Sequence, residues 1–580
     1  MQVAPVNSPD PLTIFQKISG FFQRLWRSPQ AFAAAMRDPT KVYRCGTLSY
    51  TMRGLVALFA WMLWGAFCFT LMESVAPSIM PLKLRSLDSP NVVIGFIMTT
   101  LPGVFNISVT PIISFKSDRH RGKYGRRLPF ILYTLPFLTL TLVLIAFDDA
   151  IGHWVKTTFL SGNVFSEAKV IIILLAVFAA MFDFFNMFVS TVFWYLFNDV
   201  VPQEWMGRFM SWFLLVGSLA GAVYNFFIFQ YAESHMREIY IGAAIIYFVG
   251  FGLVCLRIRE GEYPPPPDAG QRQSVLDKFR TYARECYTSR FYWDTYLSFA
   301  FYAMANCVGV FNIFFLKSLG LDLKLIGRTG FIAMVTGPLC LLYAGTLVDK
   351  WNSVRVSAYW LAFGAFSVGG TWVWLFIDSP NPQVFFWIAA ISGGFFSILF
   401  GSISSMLELP RLMALYPKDR FGQYCGAIAL VRAPANMIGG VLAGLFMDLC
   451  RHFYPVGNFA YRFSFCWTAP LIIIAFSFHY RVYRAWKRLG GEKSYVAPDK
   501  PFKLADLKPR PEDDGKVLKG PVIVIGITWL GMMLGSLTWW AYYSFFDPHP
   551  RYAIVFLIAI IVGVAMFGAY LRFLKFMERP

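Results

Sequence analysis

The chain consists of long apolar stretches separated by short polar breaks. A bilayer core about 30 Å thick is crossed by a helix of about 20 apolar residues, because each helical residue adds about 1.5 Å. Fourteen stretches of that length occur, at 53–80, 91–115, 128–147, 169–198, 205–231, 239–257, 291–316, 323–347, 356–378, 383–410, 421–449, 462–482, 520–545 and 552–574. The pattern therefore predicts an all-α integral membrane protein with fourteen spans.

The first twelve spans form two similar sets of six. The segment 201–209 matches 416–424 in its proline, acid, glycine and aromatic positions, and 345–350 follows span 8 as 115–119 follows span 2. Such echoes are typical of transporters built by duplication. The predicted segments are a cytoplasmic amphipathic N-terminal segment at 1–52, six-helix bundles at 53–257 and 291–482, a cytoplasmic linker at 258–290, a cytoplasmic segment at 483–519, and an additional transmembrane hairpin with a tail at 520–580.

Composition and charge agree with a membrane protein. The chain is 57% hydrophobic and only 15% charged, with a formal net charge of +19. In a soluble protein that charge would suggest nucleic-acid binding, but here the Lys and Arg residues concentrate in alternate loops and in the tails. Basic loops stay on the cytoplasmic side. We therefore predict both termini in the cytoplasm, contact with the lipid bilayer of the cell membrane, and no nucleic-acid partner.

The nine cysteines are scattered, mostly within spans, and their spacing is not that of paired metal ligands. We therefore expect no structural disulfide, no metal site and no cofactor. The chain is expected to act as a monomer.

A basic loop lies between spans 2 and 3, with the sequence SDRHRGKYGRR at 117–127. Together with LPG at 101–103, TPI at 110–112 and GRRLPF at 125–130, it resembles the major facilitator superfamily, especially the glycoside-pentoside-hexuronide cation symporters and among them the sucrose-proton symporter group. The resemblance implies a fold of six plus six helices. It also implies transport of a sugar or glycoside with a proton or sodium ion by alternating access. Leu128, where that group usually has a third arginine, and the two additional spans depart from the pattern.

The resemblance and the charges together predict a gating motif in this loop. Asp118 can attract the N-terminus of a helix from the other half, and the arginines can pair with Asp199 or Glu204. The alternative is that the cations only fix the orientation in the membrane. The motif residues are Asp118, Arg119, Gly125, Arg126 and Arg127, with a fainter copy at Asp349 and Lys350.

Charged side chains within the spans are the candidates for substrate binding and coupling. Each costs roughly 2.5–3.5 kcal/mol at bilayer depth and therefore needs a partner or a task. Asp183, Asn186, Ser190 and Trp194 share one face of span 4. An acid, an amide, a hydroxyl and an indole suit a sugar, and Asp183 can also bind the coupling proton. The alternative is a buried Asp bonded to a neighbouring helix.

Five further residues are candidates in other spans. Glu73 in span 1 is either a second coupling acid or an outer vestibule residue. Glu408 and Arg432 lie at comparable depth, so they predict an ion pair that is either structural or a gate. Tyr302 and Asn306 form a weaker polar stripe on span 7.

Three other functions remain as alternatives. A carrier of a lipid or another amphiphile, and a non-transporting sensor of the same fold, would share these spans. A multi-pass glycosyltransferase would need an acidic pair in an outer loop, which Asp148 and Asp149 offer, but such enzymes normally carry a large outer domain. No predicted outer loop is long enough for one. The chain is therefore predicted to be a transporter and not an enzyme.

Overall fold

The structure is a computed structural model that describes only part of the chain. The described residues are 42–122, 124–160, 166–262, 284–367, 373–377, 381–388, 396, 398–454, 457–498 and 516–579. Most of the predicted amphipathic N-terminal segment, most of the linker and residues 499–515 lie outside them.

Fourteen main helices correspond to the fourteen predicted spans. Thirteen are long and apolar enough to cross a membrane within the described residues. The ninth helix has 15 described residues, and the chain that follows it, at 368–372, lies outside them. The helices are α1 (Met52–Ser86), α2 (Asn91–Arg119), α3 (Leu128–Ala146), α4 (Glu167–Val200), α5 (Glu204–Tyr231), α6 (Met236–Arg257), α7 (Arg290–Ser318), α8 (Leu323–Val348), α9 (Ser353–Ser367), α10 (Ile398–Leu415), α11 (Phe421–Phe453), α12 (Ala460–Arg488), α13 (Lys519–Phe546) and α14 (Pro550–Met577).

Several of these helices begin at residues that cap them. The Thr51 hydroxyl accepts a hydrogen bond from the Gly54 backbone N–H at the start of α1, at 3.3 Å. The Asp322 carboxylate accepts one from Leu325 N–H at the start of α8, at 2.8 Å. Such side chains satisfy N–H groups that have no partner in the first turn.

The helices pack as two six-helix bundles. In the N-terminal bundle α1 contacts α5 and α6, and α3 contacts α4 and α6; in the C-terminal bundle α7 contacts α11 and α12, and α8 contacts α10. The hairpin of α13 and α14 packs mainly against α9. The predicted all-α fold of six plus six helices with an additional hairpin is therefore confirmed.

The described residues also contain small elements that were not predicted. Strands β1 (Tyr43–Cys45) and β2 (Leu48–Tyr50) form an antiparallel hairpin just before α1. A short helix, Asp148–Phe159, follows α3 and packs against α4. Neither has an apolar run long enough to stand out against the surrounding spans.

The bundle has two distinguishable ends. We call the end that carries residues 117–127 the basic end. The strand hairpin also lies there, because the Cys45 thiol is 3.4 Å from the Asp199 backbone oxygen and the Glu262 N–H donates to the Thr47 hydroxyl at 2.8 Å. The start of α1 and the ends of α2, α4 and α6 therefore share this end, and the other is called the opposite end.

The hairpin is anchored to the C-terminal half by one buried carboxylate. Glu578, which follows α14, is 1% exposed. Its oxygens accept hydrogen bonds from Arg355 Nε at 2.9 Å and Nη2 at 2.8 Å, near the start of α9. The hydroxyls of Tyr359 and Tyr483 donate to the same carboxylate at 2.5 and 2.7 Å. The additional hairpin therefore completes the polar interior of the C-terminal half.

Removing the charge of Glu578 should destabilise the protein strongly. A buried cation that loses its partner costs on the order of 3 kcal/mol, so Glu578→Gln should lower the unfolding midpoint of the detergent-solubilised chain clearly. The matched control is Glu492→Gln, since Glu492 lies 3.6 Å from the same Arg355 but is half-exposed. Its loss should cost less than about 1 kcal/mol. Equal effects of the two changes would contradict this assignment.

Asp148 begins the short helix after α3 and is 4% exposed. Burial raises the pKa of its carboxyl group to about 6, although Lys83 at 3.4 Å opposes the shift. The folded state therefore favours the protonated acid, and the stability that this contributes is lost as the pH rises towards 6.

We predict a pH-dependent effect of Asp148→Asn. Relative to the natural protein, the melting temperature of the variant should rise between about pH 4 and pH 6 and change little above, because the amide avoids the cost of a buried charge. The control is Asp149→Asn, whose carboxylate is 67% exposed and pairs with Lys83 at 2.6 Å. A melting-temperature difference for Asp148→Asn that is flat over this range would rule the explanation out.

Candidate functional site

The arginines of the basic loop converge on one acid at the end of α4. Asp199 accepts hydrogen bonds from Arg126 Nε at 2.9 Å and Arg127 Nε at 3.1 Å. Arg127 is 5% exposed, and its guanidinium also lies 4.9 Å from the Tyr195 ring centroid. These contacts fix the loop to α4 within the N-terminal half.

A second acid caps the helix that follows the loop. The Glu260 carboxylate accepts from the backbone N–H groups of Arg126, Arg127 and Leu128 at 2.6–3.1 Å. Burial raises the pKa of Glu260, while these N–H groups favour its charged form. Gly125 has a φ of +97°, and a Cβ there would come 2.6 Å from the Glu260 carboxyl carbon. A glycine is therefore required where the loop meets this acid.

Asp118 has a different partner from the one its sequence suggested. Its carboxylate pairs with Arg127 Nη2 at 2.5 Å, within its own half, instead of with a helix of the other half. Arg119 ends α2 beside it. In the fainter copy, Asp349 and Lys350 follow α8 and are exposed. The strong ionic contacts of that region belong instead to Arg355.

The two halves meet at the opposite end through a capped helix. Asp448 on α11 accepts hydrogen bonds from the backbone N–H groups of Asn91 and Val92, both at 2.8 Å, at the start of α2. The Asn91 side chain donates to the same carboxylate at 2.9 Å and accepts from the Tyr461 hydroxyl at 2.6 Å. A carboxylate here compensates the positive end of the helix dipole. This is a contact of the kind expected of Asp118, but made by Asp448 at the opposite end.

Close backbone approach reinforces this contact between the halves. A Cβ on Gly95 of α2 would come 2.2 Å from the Gly440 backbone oxygen of α11. The Thr100 hydroxyl donates to the Met437 backbone oxygen at 2.6 Å, and Lys317 pairs with Glu233 across the halves. Among the described helices, the contacts between the halves thus concentrate in the part of the bundle away from the basic end.

Neutralising Asp448 should loosen the opposite end. Asp448→Asn removes a charge at a helix N-terminus, worth about 1 kcal/mol, so the open population should rise about fivefold. Distances between spin labels on residues 156 and 454, one in each half, would report it. Asp322→Asn is the control because Asp322 caps α8 within its own half. An unchanged distance distribution in Asp448→Asn would contradict a gating role.

Two acids face each other inside the N-terminal half. The Asn186 amide on α4 donates to the Glu73 carboxylate on α1 at 2.7 Å, and Asp183 is close enough to Glu73 for the two carboxyl groups to interact electrostatically. The hydroxyl of Tyr247 on α6 also lies near Glu73, and in the described part of the chain it makes no hydrogen bond. The Asn186 amide oxygen likewise makes no hydrogen bond within the described residues. The site therefore offers two carboxyl groups and two oxygens with unused hydrogen-bonding capacity.

Trp194 does not belong to this group. It lies eleven residues beyond Asp183 on α4, about 16 Å along the helix. Its ring packs against Phe197 and Phe213, with centroids 5.5 and 5.2 Å apart. Asp183 and Trp194 therefore lie at different depths of one helix, Asp183 beside Glu73 and Trp194 among aromatic rings, and the sugar stripe stays a prediction.

A cavity of about 330 Å³ opens within the C-terminal half. Tyr302 lines it from α7, Trp360 from α9 and Glu408 from α10. Trp360 stacks on Phe400 with centroids 5.5 Å apart and donates its indole N–H to the Phe400 backbone oxygen at 3.2 Å. Five serines also line the cavity, at Ser298, Ser357, Ser367, Ser404 and Ser405. Hydroxyls beside a fixed aromatic ring form a surface suited to a polar small molecule.

Glu408 and Arg432 are paired at this cavity. Arg432 Nη1 lies 2.8 Å from Glu408 Oε1, and each side chain is a little over 40% exposed. Arg411, one turn after Glu408, also lines the cavity. Asn306 lies one turn beyond Tyr302 and donates to its backbone oxygen at 2.8 Å. Of the four candidates in this half, the structure thus places Tyr302, Glu408 and Arg432 together, while Asn306 bonds within its helix.

Several polar residues at these sites were not among the candidates predicted from the sequence. His479 on α12 is 1% exposed and lies 3.2 Å from the Ser357 hydroxyl at the cavity wall. Its signal was a lone histidine inside an apolar span. Asp448 was an acid near the end of the predicted span 421–449, whereas Tyr247 carried no local signal that distinguished it from other residues of its helix. Their partners come from helices far apart in the sequence.

The paired six-helix bundles, with polar sites in both halves and a shared closed end, define a transporter of the major facilitator type. A family model described as MFS/sugar transport protein matches residues 87–450. The chain belongs to this family, which confirms the predicted superfamily. No curated protein sequence matches the chain.

Solved structures share the fold at low sequence identity. A D-xylose-proton symporter has a TM-score of 0.52 and 14% identity, over 77% of this chain and 99% of its own. A mutant of a nucleoside transporter has a TM-score of 0.53 and 13% identity, over 73% and 98%. A bacterial homologue of the iron transporter ferroportin, in an inward-facing state, has a TM-score of 0.53 and 15% identity, over 74% and 99%. At these identities the likeness establishes the fold alone.

Proposed function

We propose that this protein is a secondary active transporter that carries a sugar or glycoside together with a proton or sodium ion. The observation that supports the proposal is that each half holds a polar site of a different kind. The N-terminal half holds Glu73, Asp183 and Asn186, and the C-terminal half holds a cavity lined by hydroxyls and Trp360. One site suits a small cation, and the other suits a polar solute.

The acid pair is suited to coupling because two carboxylates close together in an apolar interior repel each other. A bound proton or sodium ion removes that repulsion, so the occupied and empty states differ in energy. The side chains of Asn186 and Tyr247 lie near Glu73 and carry further oxygen atoms without a hydrogen-bond partner in the described residues. A bound cation can therefore shift the balance between two conformations of the halves.

The cavity is suited to a sugar in size and lining. A volume of about 330 Å³ lies at the lower end of ligand pockets, which begin near 300 Å³. Serine hydroxyls donate and accept hydrogen bonds, and Tyr302, which is 37% exposed, offers an aromatic ring to the apolar face of a pyranose. The family description, MFS/sugar transport protein, supports the same substrate class.

We also propose that the basic end faces the cytoplasm of a cell with this protein in its plasma membrane, because cationic loops stay on that side. Both termini would then be cytoplasmic. The contacts between the halves concentrate away from this end. On this orientation the described conformation is closed to the outside, and rocking of the halves about the central sites completes the transport cycle.

Uptake into proteoliposomes tests the coupling role. An inward proton gradient or an inward sodium gradient, applied separately, should drive uptake of a labelled disaccharide or glycoside, and Asp183→Asn should reduce the driven rate at least tenfold. Asp88→Asn is the control, because it makes the same chemical change at an exposed position between α1 and α2. Failure of both gradients to drive any sugar in a broad panel would overturn the proposal and favour a carrier of amphiphiles or a sensor.

A further inference from the structure

One cation at the cavity has no acid of its own. The buried Nε of Arg411 makes no hydrogen bond within the described residues. Its guanidinium lies over the Phe299 ring, 4.1 Å from the centroid. Glu408, three residues earlier, is near enough to attract Arg411, but its hydrogen bond goes to Arg432 at 2.8 Å.

The charge balance at the cavity is therefore positive. Glu408 contributes one negative charge, whereas Arg411 and Arg432 contribute two positive charges. A guanidinium inside a span is costly without a counter-charge. Phe299 provides a cation–π contact, which compensates only part of that cost. The Arg411 guanidinium therefore keeps the capacity to bind a further anionic group.

The surroundings of Arg411 favour an anion that is part of a larger polar solute. The same cavity is lined by Ser404 and Ser405 and by the partly exposed ring of Tyr302. A guanidinium binds carboxylates and phosphates in a planar, two-pronged geometry, and hydroxyls bind the neutral remainder of such a molecule.

We propose that the solute carries an anionic group, a carboxylate or a phosphate, beside its hydroxyl groups, and that Arg411 binds this group. This inference rests on the proposed transport function and adds a charge requirement to the substrate. Arg411 is then the residue that selects acidic over neutral solutes of equal size.

The cavity can be blocked without disturbing its walls. A Cβ on Gly401, which lines the cavity, would meet nothing within 4 Å. Gly401→Leu should therefore place a side chain in the open space with little strain on α10. Gly242→Leu is the matched control, since Gly242 on α6 is equally open but belongs to the other half.

The test compares the binding of three probes to the detergent-solubilised full chain by calorimetry: D-glucose, D-glucuronate and D-glucose 6-phosphate. At least one anionic probe should bind about tenfold more tightly than glucose. Binding of glucuronate alone identifies a carboxylate, and binding of the phosphate ester alone identifies a phosphate. Gly401→Leu should weaken the tighter probe at least tenfold, and Gly242→Leu should leave it unchanged.

Substitution of Arg411 decides whether this residue is responsible. Arg411→Gln should lower the affinity for the anionic probe to that for glucose, while Arg411→Lys should keep part of the preference because it keeps the charge. Melting temperatures of both variants show that the fold is intact. An unchanged preference in folded Arg411→Gln would overturn the inference.

Failure of this inference is distinguishable from failure of the proposed function. Equal affinity for glucose and both anions, together with gradient-driven uptake that depends on Asp183, would overturn the charge requirement and leave sugar transport intact. Absence of binding by all three probes, together with absence of driven uptake, would overturn both.

Discussion

The contact between the two halves at the opposite end depends on Asp448 of α11, whose carboxylate caps the start of α2. A helix that begins within a membrane protein leaves N–H groups that lipid cannot satisfy. Asp448 of the other half accepts two of them, and Tyr461 orients the Asn91 side chain in the same contact. Beside it, Gly95 and Gly440 allow the backbones to touch. The ends of the halves are therefore held together by a polar cap surrounded by small residues, which can be released without creating a void.

In both halves the cations near the basic end are paired with acids, but the acids come from different elements. In the N-terminal half the cations near α3 are compensated locally by Asp199 at the end of α4, and Glu260 just after α6 caps backbone N–H groups of the same loop. In the C-terminal half the corresponding cation is Arg355 near the start of α9, and its buried acid is Glu578 after α14. The duplicated halves have thus diverged in where they obtain their counter-charge. In the C-terminal half the counter-charge comes from the end of the hairpin.

The sequence predicted what depends on local pattern and missed what depends on distant partners. The lengths of the apolar stretches located the spans. Counting residues from the turn at 417 placed Glu408 and Arg432 at the same depth, because the rise per residue is the same in every α-helix. The partner of Asp118 could not be deduced, since several cations lie within its reach. The role of Arg411 could not be deduced from the sequence either. It depends on the fact that Glu408 pairs with Arg432 and not with Arg411. The strand hairpin before α1 is too short for periodicity to resolve.

The bond between Arg355 and Glu578 also sets an order of events during synthesis. The two residues are 223 positions apart. At about 5–20 residues per second, a ribosome needs roughly 10–45 s to make the intervening chain. During that interval α9 enters the membrane with a cation whose buried counter-charge, Glu578, does not yet exist. The C-terminal half therefore cannot reach its final packing until α14 has been made.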